Sequence, residues 1–94
     1  MHTLVVQMST DPARPEEVAR HFYEDVVRWV RQQPGFVSGQ WLRSADRSEG
    51  LGVVVFASED AATVAAQGPR NYARDDERAW NLDRVTVYEQ VTSA

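Results

Sequence analysis

The stretch "RWVRQQPGFVSGQWLRS", residues 28–44, changes from one pattern of apolar residues to another around a single Pro-Gly pair. Before the pair, apolar side chains recur with the spacing of one helix face, and after it the residues suit a β-strand. Pro34 and Gly35 end the helix, because proline lacks the amide hydrogen that a helix needs and disfavours helical backbone in the preceding residue. The stretch therefore predicts a helix followed directly by a strand.

The predicted helix extends back to Pro15, since proline is favoured at the first helical position. Residues 3–9, "TLVVQMS", are rich in β-forming residues and predict a strand ahead of it. From Pro15 to about Gln33 the apolar residues form one stripe, with polar residues on the other side. The stripe consists of Val18, Ala19, Phe22, Tyr23, Val26, Val27, Trp29 and Val30.

Beyond the Pro-Gly pair, "FVSGQWLRS" predicts a second strand, with Val37 and Trp41 on one face and Phe36 and Leu42 on the other. A short polar loop leads to "LGVVVFA", residues 51–57, which predicts a third strand. Because the connection is so short, the second and third strands must run antiparallel.

A second helix and a fourth strand complete the predicted elements. Ser58 suits the position that caps a helix, and the helix is expected to end at Gly68 and Pro69. Residues 84–91, "RVTVYEQV", predict the last strand. Residues 70–82 fit a weak helical face, and the pattern leaves open whether they form a helix or a lid.

The order β-α-β-β-α-β is that of ferredoxin-like α+β folds, with two helices on one face of a four-stranded antiparallel sheet. Two helices cover only one face, yet the third strand is apolar on both. We therefore expect one domain, residues 1–94, that forms a homodimer through its sheet face. The apolar side chains of that strand are Leu51, Val53 and Val55 on one face and Val54 and Phe56 on the other.

Composition excludes several classes of protein. The 94 residues include no cysteine, so disulfides and thiolate metal sites are excluded. The net charge is −4 and the arginines alternate with acidic residues, which disfavours nucleic-acid binding. The opening "MHTLVVQMSTDP" lacks the features of a signal peptide or a spanning helix, so we expect a cytoplasmic protein with no membrane association.

Four passages together resemble the antibiotic biosynthesis monooxygenase domain: "WVRQQPGFVSGQW", "RSAD", "FASEDAA" and "TVYEQV". The resemblance spans nearly the whole chain. It implies a dimeric α/β barrel built from ferredoxin-like chains, with a ligand cavity between the sheet and the helices. The family includes cofactor-free oxygenases that convert aromatic polyketides to quinones, and haem-degrading oxygenases.

The functional side chains of that family are absent at the matching positions. The polyketide oxygenases carry an Asn, a Trp and a Tyr where this chain has Gly52, Phe56 and Ala62. The haem-degrading members carry an Asn where this chain has Gln7, and a later His, whereas no histidine follows His21 here. The resemblance therefore predicts the fold more firmly than the reaction, and it argues against haem degradation.

One row of metal-ligating residue types stands out. Glu17, His21 and Asp25 are spaced four residues apart, so they share one side of the first helix. Such a row on the polar side of a helix is typical of mutual charge pairing. We interpret it as charge pairing and expect no metal site.

Tyr72 and Arg74 are the candidate catalytic residues. If the protein is an enzyme, the resemblance implies a cofactor-free monooxygenase that depends on the acidity of its own substrate. Tyr72 or Arg74 would then donate a hydrogen bond that stabilises the substrate anion. Asn71, next to them in the sequence, is a candidate ligand-binding residue.

The large rings are the other candidates for a binding site, because concave ligand sites are lined mainly by such side chains. Trp29 and Phe56 suit a pocket or the core, and Trp80 suits a gate at the cavity. Trp41 suits a pocket wall and a dimer interface equally well.

Together, residues and resemblance predict a small protein that binds, and in the catalytic case oxygenates, an apolar or aromatic small molecule. The alternative is a non-catalytic module that uses the same cavity for binding or interaction. A lyase or isomerase is a third interpretation, because dimeric α/β barrels carry several chemistries.

Overall fold

The structure is a computed structural model that describes the backbone of residues 1–72 and 80–94 and the side chains of residues 1–69 and 80–94. The strands His2–Thr10 (β1), Phe36–Arg43 (β2), Glu49–Phe56 (β3) and Trp80–Glu89 (β4) form one sheet in the order β2-β3-β1-β4, and every neighbouring pair is antiparallel. This confirms the predicted ferredoxin-like α+β class. The elements are β1 His2–Thr10, α1 Pro15–His21, a π-helical segment Phe22–Val26, α2 Val27–Arg31, β2 Phe36–Arg43, β3 Glu49–Phe56, α3 Glu59–Ala65, α4 Gln67–Tyr72 and β4 Trp80–Glu89.

The first helix is continuous across the π-helical segment, because the joining residues Phe22 and Val26 keep right-handed helical backbone angles. A π-helical turn contains more residues than an α-helical turn, so it changes which side chains follow one another along a face. Val18 and Val30 are buried, as the predicted stripe requires. Tyr23 does not belong to the stripe, since it is 80% exposed.

One face of the sheet packs against the helices and forms the core. Alternate residues of β1 and β3 are buried there, and the register sets Leu4 opposite Val54 and Val6 opposite Gly52. The opposite face of β3 carries the other aliphatic residues, as predicted. The buried core consists of Leu4, Val6, Met8, Val30, Val54, Phe56, Ala62, Ala65, Ala66 and Trp80.

A β-bulge in β2 changes which of its side chains share a face, so the predicted faces of this strand are partly wrong. The register with β3 shifts between Phe36 and Ser38, so that Phe36 lies opposite Phe56 and Trp41 lies opposite Gly52. The rings of Phe36 and Phe56 meet edge to face with centroids 6.3 Å apart. Phe36 and Trp41 thus share the helix-facing side, and the prediction that separated them is wrong because a bulge breaks strict alternation.

The second helical region consists of α3, which Ser58 caps, and α4. The Ser58 hydroxyl accepts a hydrogen bond from the Ala61 amide at 3.1 Å, which confirms the predicted cap. The prediction that this helix ends at Gly68 and Pro69 is wrong, because α3 already ends at Ala65 and both residues lie within α4. Trp80 already belongs to β4. The remainder of the ambiguous stretch 70–82, residues 73–79, lies outside the described residues. Within the described ranges, no helix combines the length and the apolar character needed to cross a membrane.

The loop between β2 and β3 is organised by one carboxylate. Asp46 accepts hydrogen bonds from the Ser48 amide at 3.0 Å, the Ser48 hydroxyl at 2.7 Å and the Ser44 hydroxyl at 2.8 Å. These bonds lower the pKa of Asp46, and the Ser48 hydroxyl is the largest cause. The next residue, Arg47, has a left-handed backbone with φ of 64°. The carboxylate therefore stabilises a tight turn that sets the register of the hairpin.

Asp46→Asn is expected to lower the melting temperature at neutral pH. Because folding lowers the pKa of Asp46, its contribution is present above the ordinary carboxyl pKa and is lost as the pH falls through the lowered value. The difference between Asp46→Asn and wild type should therefore disappear in strong acid. Thermal unfolding followed by circular dichroism from pH 7 to pH 2 measures it, with Glu24→Gln on the exposed side of the first helix as control. A deficit that persists unchanged at the acid end would contradict the prediction.

Candidate functional site

A cavity of about 550 Å³ lies between the helix-facing side of the sheet and the helices. Its volume is in the range of small-molecule binding sites, and apart from one carboxylate and one amide its described lining is almost wholly apolar. The sheet supplies Leu4, Val6, Met8, Trp41, Gly52, Val54 and Trp80, the first helix supplies Phe22, Asp25, Val26, Trp29 and Val30, and α3 and α4 supply Val64, Gln67, Gly68 and Pro69.

Trp41 forms part of the cavity floor because two glycines leave room for its indole. A Cβ at Gly39 would lie 2.8 Å from Cη2 of Trp41, and one at Gly52 would lie 3.3 Å from its Nε1. The benzene ring thus lies over Gly39 and the pyrrole edge over Gly52, flat against the sheet. Trp41 is a wall of the cavity and does not lie on the outer face of the sheet.

Trp29 closes another side of the cavity by contact with the backbone of α4. A Cβ added at Gly68 would lie 2.7 Å from Cζ2 and 2.9 Å from Cζ3 of the Trp29 indole. Contacts this short are not tolerated, so the indole can lie there only because residue 68 has no side chain. Gly68, which the sequence marks only as a helix end, determines the position of this ring.

Gly68→Ala is expected to destabilise the protein by about 1–3 kcal/mol, because the new methyl group displaces the indole of Trp29. In a Trp29→Ala background the same change should stabilise by about 0.5–1 kcal/mol, since alanine is the better helix former. Urea unfolding of the two single variants and the double variant measures both effects. The same sign in both backgrounds would show that Gly68 and Trp29 do not contact each other as described.

His21 and Asp25 form an ionisable pair beside the cavity. Nδ1 of His21 lies 3.0 Å from Oδ2 of Asp25, and the side chains are 15% and 59% exposed. The His21 ring lies 5.8 Å from that of Phe22 and 5.9 Å from that of Trp80, both of which line the cavity. Among the described lining residues Asp25 is the only ionisable one. The pair thus brings a carboxylate to an otherwise apolar wall.

The predicted row of three potential metal ligands separates in the structure. Glu17 accepts a hydrogen bond from Nε of Arg14 at 2.6 Å, and this bond lowers the pKa of Glu17. His21 turns toward the rings instead of toward solvent, so its pairing with Asp25 was expected but its burial was not. Within the described ranges, no group of three or more His, Asp or Glu side chains is arranged to hold a metal ion.

The other candidate residues divide into three groups. Trp29 and Trp80 line the cavity, whereas Phe56 is fully buried in the core and does not line it. Asn71 and Tyr72 belong to α4, but only their backbone is described, and Arg74 lies outside the described residues. Among the candidate residues whose side chains the structure describes, Trp29 and Trp80 therefore come together with Trp41 at the cavity.

Sequence reasoning missed three positions that shape the site. In the sequence, Asp25 stands out only in the charge-paired row with Glu17 and His21, Gly68 only as a helix end, and Gln67 carries no signal of a site. The four-residue spacing of His21 and Asp25 was the available signal for the pair. The spacing does not reveal that the His21 ring lies against the rings of Phe22 and Trp80.

The family model for antibiotic biosynthesis monooxygenase matches residues 1–70. The chain belongs to the antibiotic biosynthesis monooxygenase family. A search of curated proteins finds no match to it.

Solved structures with the same fold include a cofactor-independent oxygenase and a haem degrader, the two activities that the resemblance names. The monooxygenase ActVA-Orf6 of Streptomyces coelicolor, in complex with nanaomycin D, has a TM-score of 0.68 at 17% identity, covering 99% of this chain and 89% of its own. SnoaB of Streptomyces nogalater, a cofactor-independent oxygenase, has a TM-score of 0.70 at 21% identity, with coverages of 98% and 94%. MhuD of Mycobacterium tuberculosis, a haem degrader with two haems bound, has a TM-score of 0.75 at 19% identity, with coverages of 100% and 99%. At these identities the similarity establishes the fold alone.

Proposed function

We propose that this protein binds a planar aromatic small molecule in the cavity and oxygenates it with dioxygen, without a bound cofactor, in the cytoplasm. The observation that carries the proposal is the almost wholly apolar cavity of about 550 Å³, with indole rings on its walls and one carboxylate beside them. Planar apolar molecules gain most from such a lining, and a few polar groups fix their orientation. The cofactor-independent oxygenase SnoaB shares the fold and supports the same class of reaction.

Oxygenation of this kind needs a proton acceptor. Conversion of a benzylic CH₂ group to a ketone by dioxygen gives one water, and no other reductant is required. Dioxygen reacts with the substrate carbanion or enolate, so the protein must first accept a proton. We propose that the Asp25–His21 pair accepts it, because Asp25 lies on the cavity wall and its carboxylate is hydrogen-bonded to the imidazole.

The resulting anion needs hydrogen-bond donors. We propose Tyr72 and Arg74 as these donors, as the sequence indicates. Preorganised donors typically lower the barrier for formation of an anion by several kcal/mol. Asn71 is proposed as a further ligand contact near them.

Anthrone is the probe for this activity, because it is planar, apolar and carries an acidic CH₂ group. We expect catalysed dioxygen uptake, measured with an oxygen electrode, and formation of anthraquinone. Asp25→Asn should lower kcat by about 10²- to 10⁴-fold, the usual effect of a lost general base. Tyr72→Phe and Arg74→Ala should lower it by about 10²-fold, as for a lost anion donor.

Glu24→Gln, which removes an exposed carboxylate one residue away, is the matched control and should keep the wild-type rate. Uptake no faster than the uncatalysed oxidation of anthrone would reject the oxygenase proposal. Tight binding of anthrone without uptake would instead favour the non-catalytic binding module.

We further propose that residues 1–94 act as one domain that forms a homodimer through the outer face of the sheet. The register places Val53 between Val5 of β1 and Gln40 of β2, and Leu51 opposite Leu42. These aliphatic side chains face away from the helices, and Leu42 is 49% exposed. Together with Val55 they form an apolar stripe along β3, bordered by the polar side chains of Gln7 and Gln40. An apolar stripe with a polar rim is typical of an interface, and a second copy offers a matching surface.

Val53→Glu is expected to convert the dimer to a monomer, because it places a charge at the centre of the proposed interface. Sedimentation equilibrium at micromolar concentration measures the change. Tyr23→Glu, at an 80% exposed position on the helical side, is the control and should leave the dimer intact. A wild-type protein that sediments as a monomer would disprove the proposal.

A further inference from the structure

Trp41 carries a hydrogen-bond donor that the protein itself does not use. An indole N–H donates but does not accept, and it needs an acceptor when it is removed from water. Nε1 of Trp41 makes no hydrogen bond to any residue within the described ranges, while the indole belongs to the cavity wall. Its acceptor must therefore come from water or from a bound molecule.

The two glycines show on which side of the indole this donor lies. Nε1 and Cδ1 are the atoms nearest to Gly52, which lines the cavity. The six-membered ring lies over Gly39, which lines a neighbouring recess between β2 and the first helix. The donor edge of Trp41 thus belongs to the cavity, and the hydrocarbon edge belongs to the recess.

The donor is held in place before any ligand binds. The indole is flat against β2 and β3. A Cβ added at Gly52 would lie only 3.3 Å from its Nε1, so the ring lies close to the backbone there. An indole has only two side-chain torsions, and the sheet blocks it on one side. A fixed donor costs little conformational entropy on binding, so it contributes to selectivity as well as to affinity.

The surroundings define what this donor meets. Its neighbours on the sheet, Val6 and Val54, offer no acceptor side chain, and the carboxylate of Asp25 lies on the helical wall. The described cavity thus has a fixed indole donor on its sheet side and a carboxylate acceptor on the first helix, besides the side-chain amide of Gln67 on α4. A planar aromatic ketone or enol, with an oxygen at one edge and an acidic hydrogen elsewhere, matches this arrangement.

We infer that Trp41 is a specificity-determining residue whose indole N–H donates a hydrogen bond to the carbonyl or enolate oxygen of the bound aromatic molecule. This inference rests on the proposed function and names its substrate class. The site then selects oxygen-bearing aromatic molecules over hydrocarbons of the same shape, because a hydrocarbon leaves the donor without an acceptor.

Two probes of similar shape test the inference: anthrone, which has the carbonyl, and 9,10-dihydroanthracene, which lacks it. Titrations under nitrogen prevent oxidation. We expect Trp41→Phe to weaken anthrone binding by about 3- to 10-fold, the range for one neutral hydrogen bond. Binding of 9,10-dihydroanthracene should change by less than about twofold, because the aromatic ring is retained.

A second measurement uses the unaltered protein, so it does not depend on the folding of a variant. The chain has three tryptophans, and comparison with Trp41→Phe identifies the indole N–H resonance of Trp41 in a ¹⁵N–¹H spectrum. Anthrone should shift this resonance downfield, as hydrogen bonding does, and 9,10-dihydroanthracene should not.

Equal effects of Trp41→Phe on both probes, or an indole resonance that responds to both alike, would overturn the inference while leaving the proposed binding function intact. If the wild-type protein binds neither probe, the proposed function and the inference both fail. Discrimination between the probes that is lost in Trp41→Phe supports the inference even if no dioxygen is consumed.

Discussion

The cavity depends on the absence of side chains at Gly39 and Gly52. A Cβ at Gly39 would lie 2.8 Å from Cη2 of Trp41, so the indole would have to move away from the strand. A Cβ at Gly52 would lie 3.3 Å from Nε1, so the ring would have to shift by a few tenths of an ångström. Two glycines on neighbouring strands therefore determine how closely the indole lies against the cavity floor.

The core that supports this floor is small, and most of its residues also line the cavity. Leu4 and Phe56 are the largest fully buried side chains, and Ala62 and Ala65 bring α3 close to the sheet. Small side chains at a contact between a helix and a sheet allow the two backbones to approach closely. The indole of Trp29 lies against Gly68 of α4 at another side of the cavity, so the core and the cavity lie between the same two layers.

The order of the elements, the cap at Ser58 and the two apolar faces of β3 follow from local chemistry, and the sequence predicts them correctly. The site was predicted less well, because it depends on departures from regular geometry. The bulge at Phe36 brings two aromatic residues to one face, and the π-helical segment accompanies the burial of His21. Both devices are set by tertiary packing, and a period of 2 or 3.6 residues does not reveal them.

The same geometry places a hydrogen-bond donor where the sequence alone indicates none. The resemblance places Gly52 where polyketide oxygenases of the family carry an Asn, which by itself removes a polar group from β3. Yet Nε1 of Trp41, from β2, lies 3.3 Å from where a Cβ at residue 52 would stand. A donor from the neighbouring strand thus lies beside position 52. Position-by-position matching finds no functional residue here, although the cavity keeps a hydrogen-bond donor, because chemistry depends on where a group lies in space and not on which strand carries it.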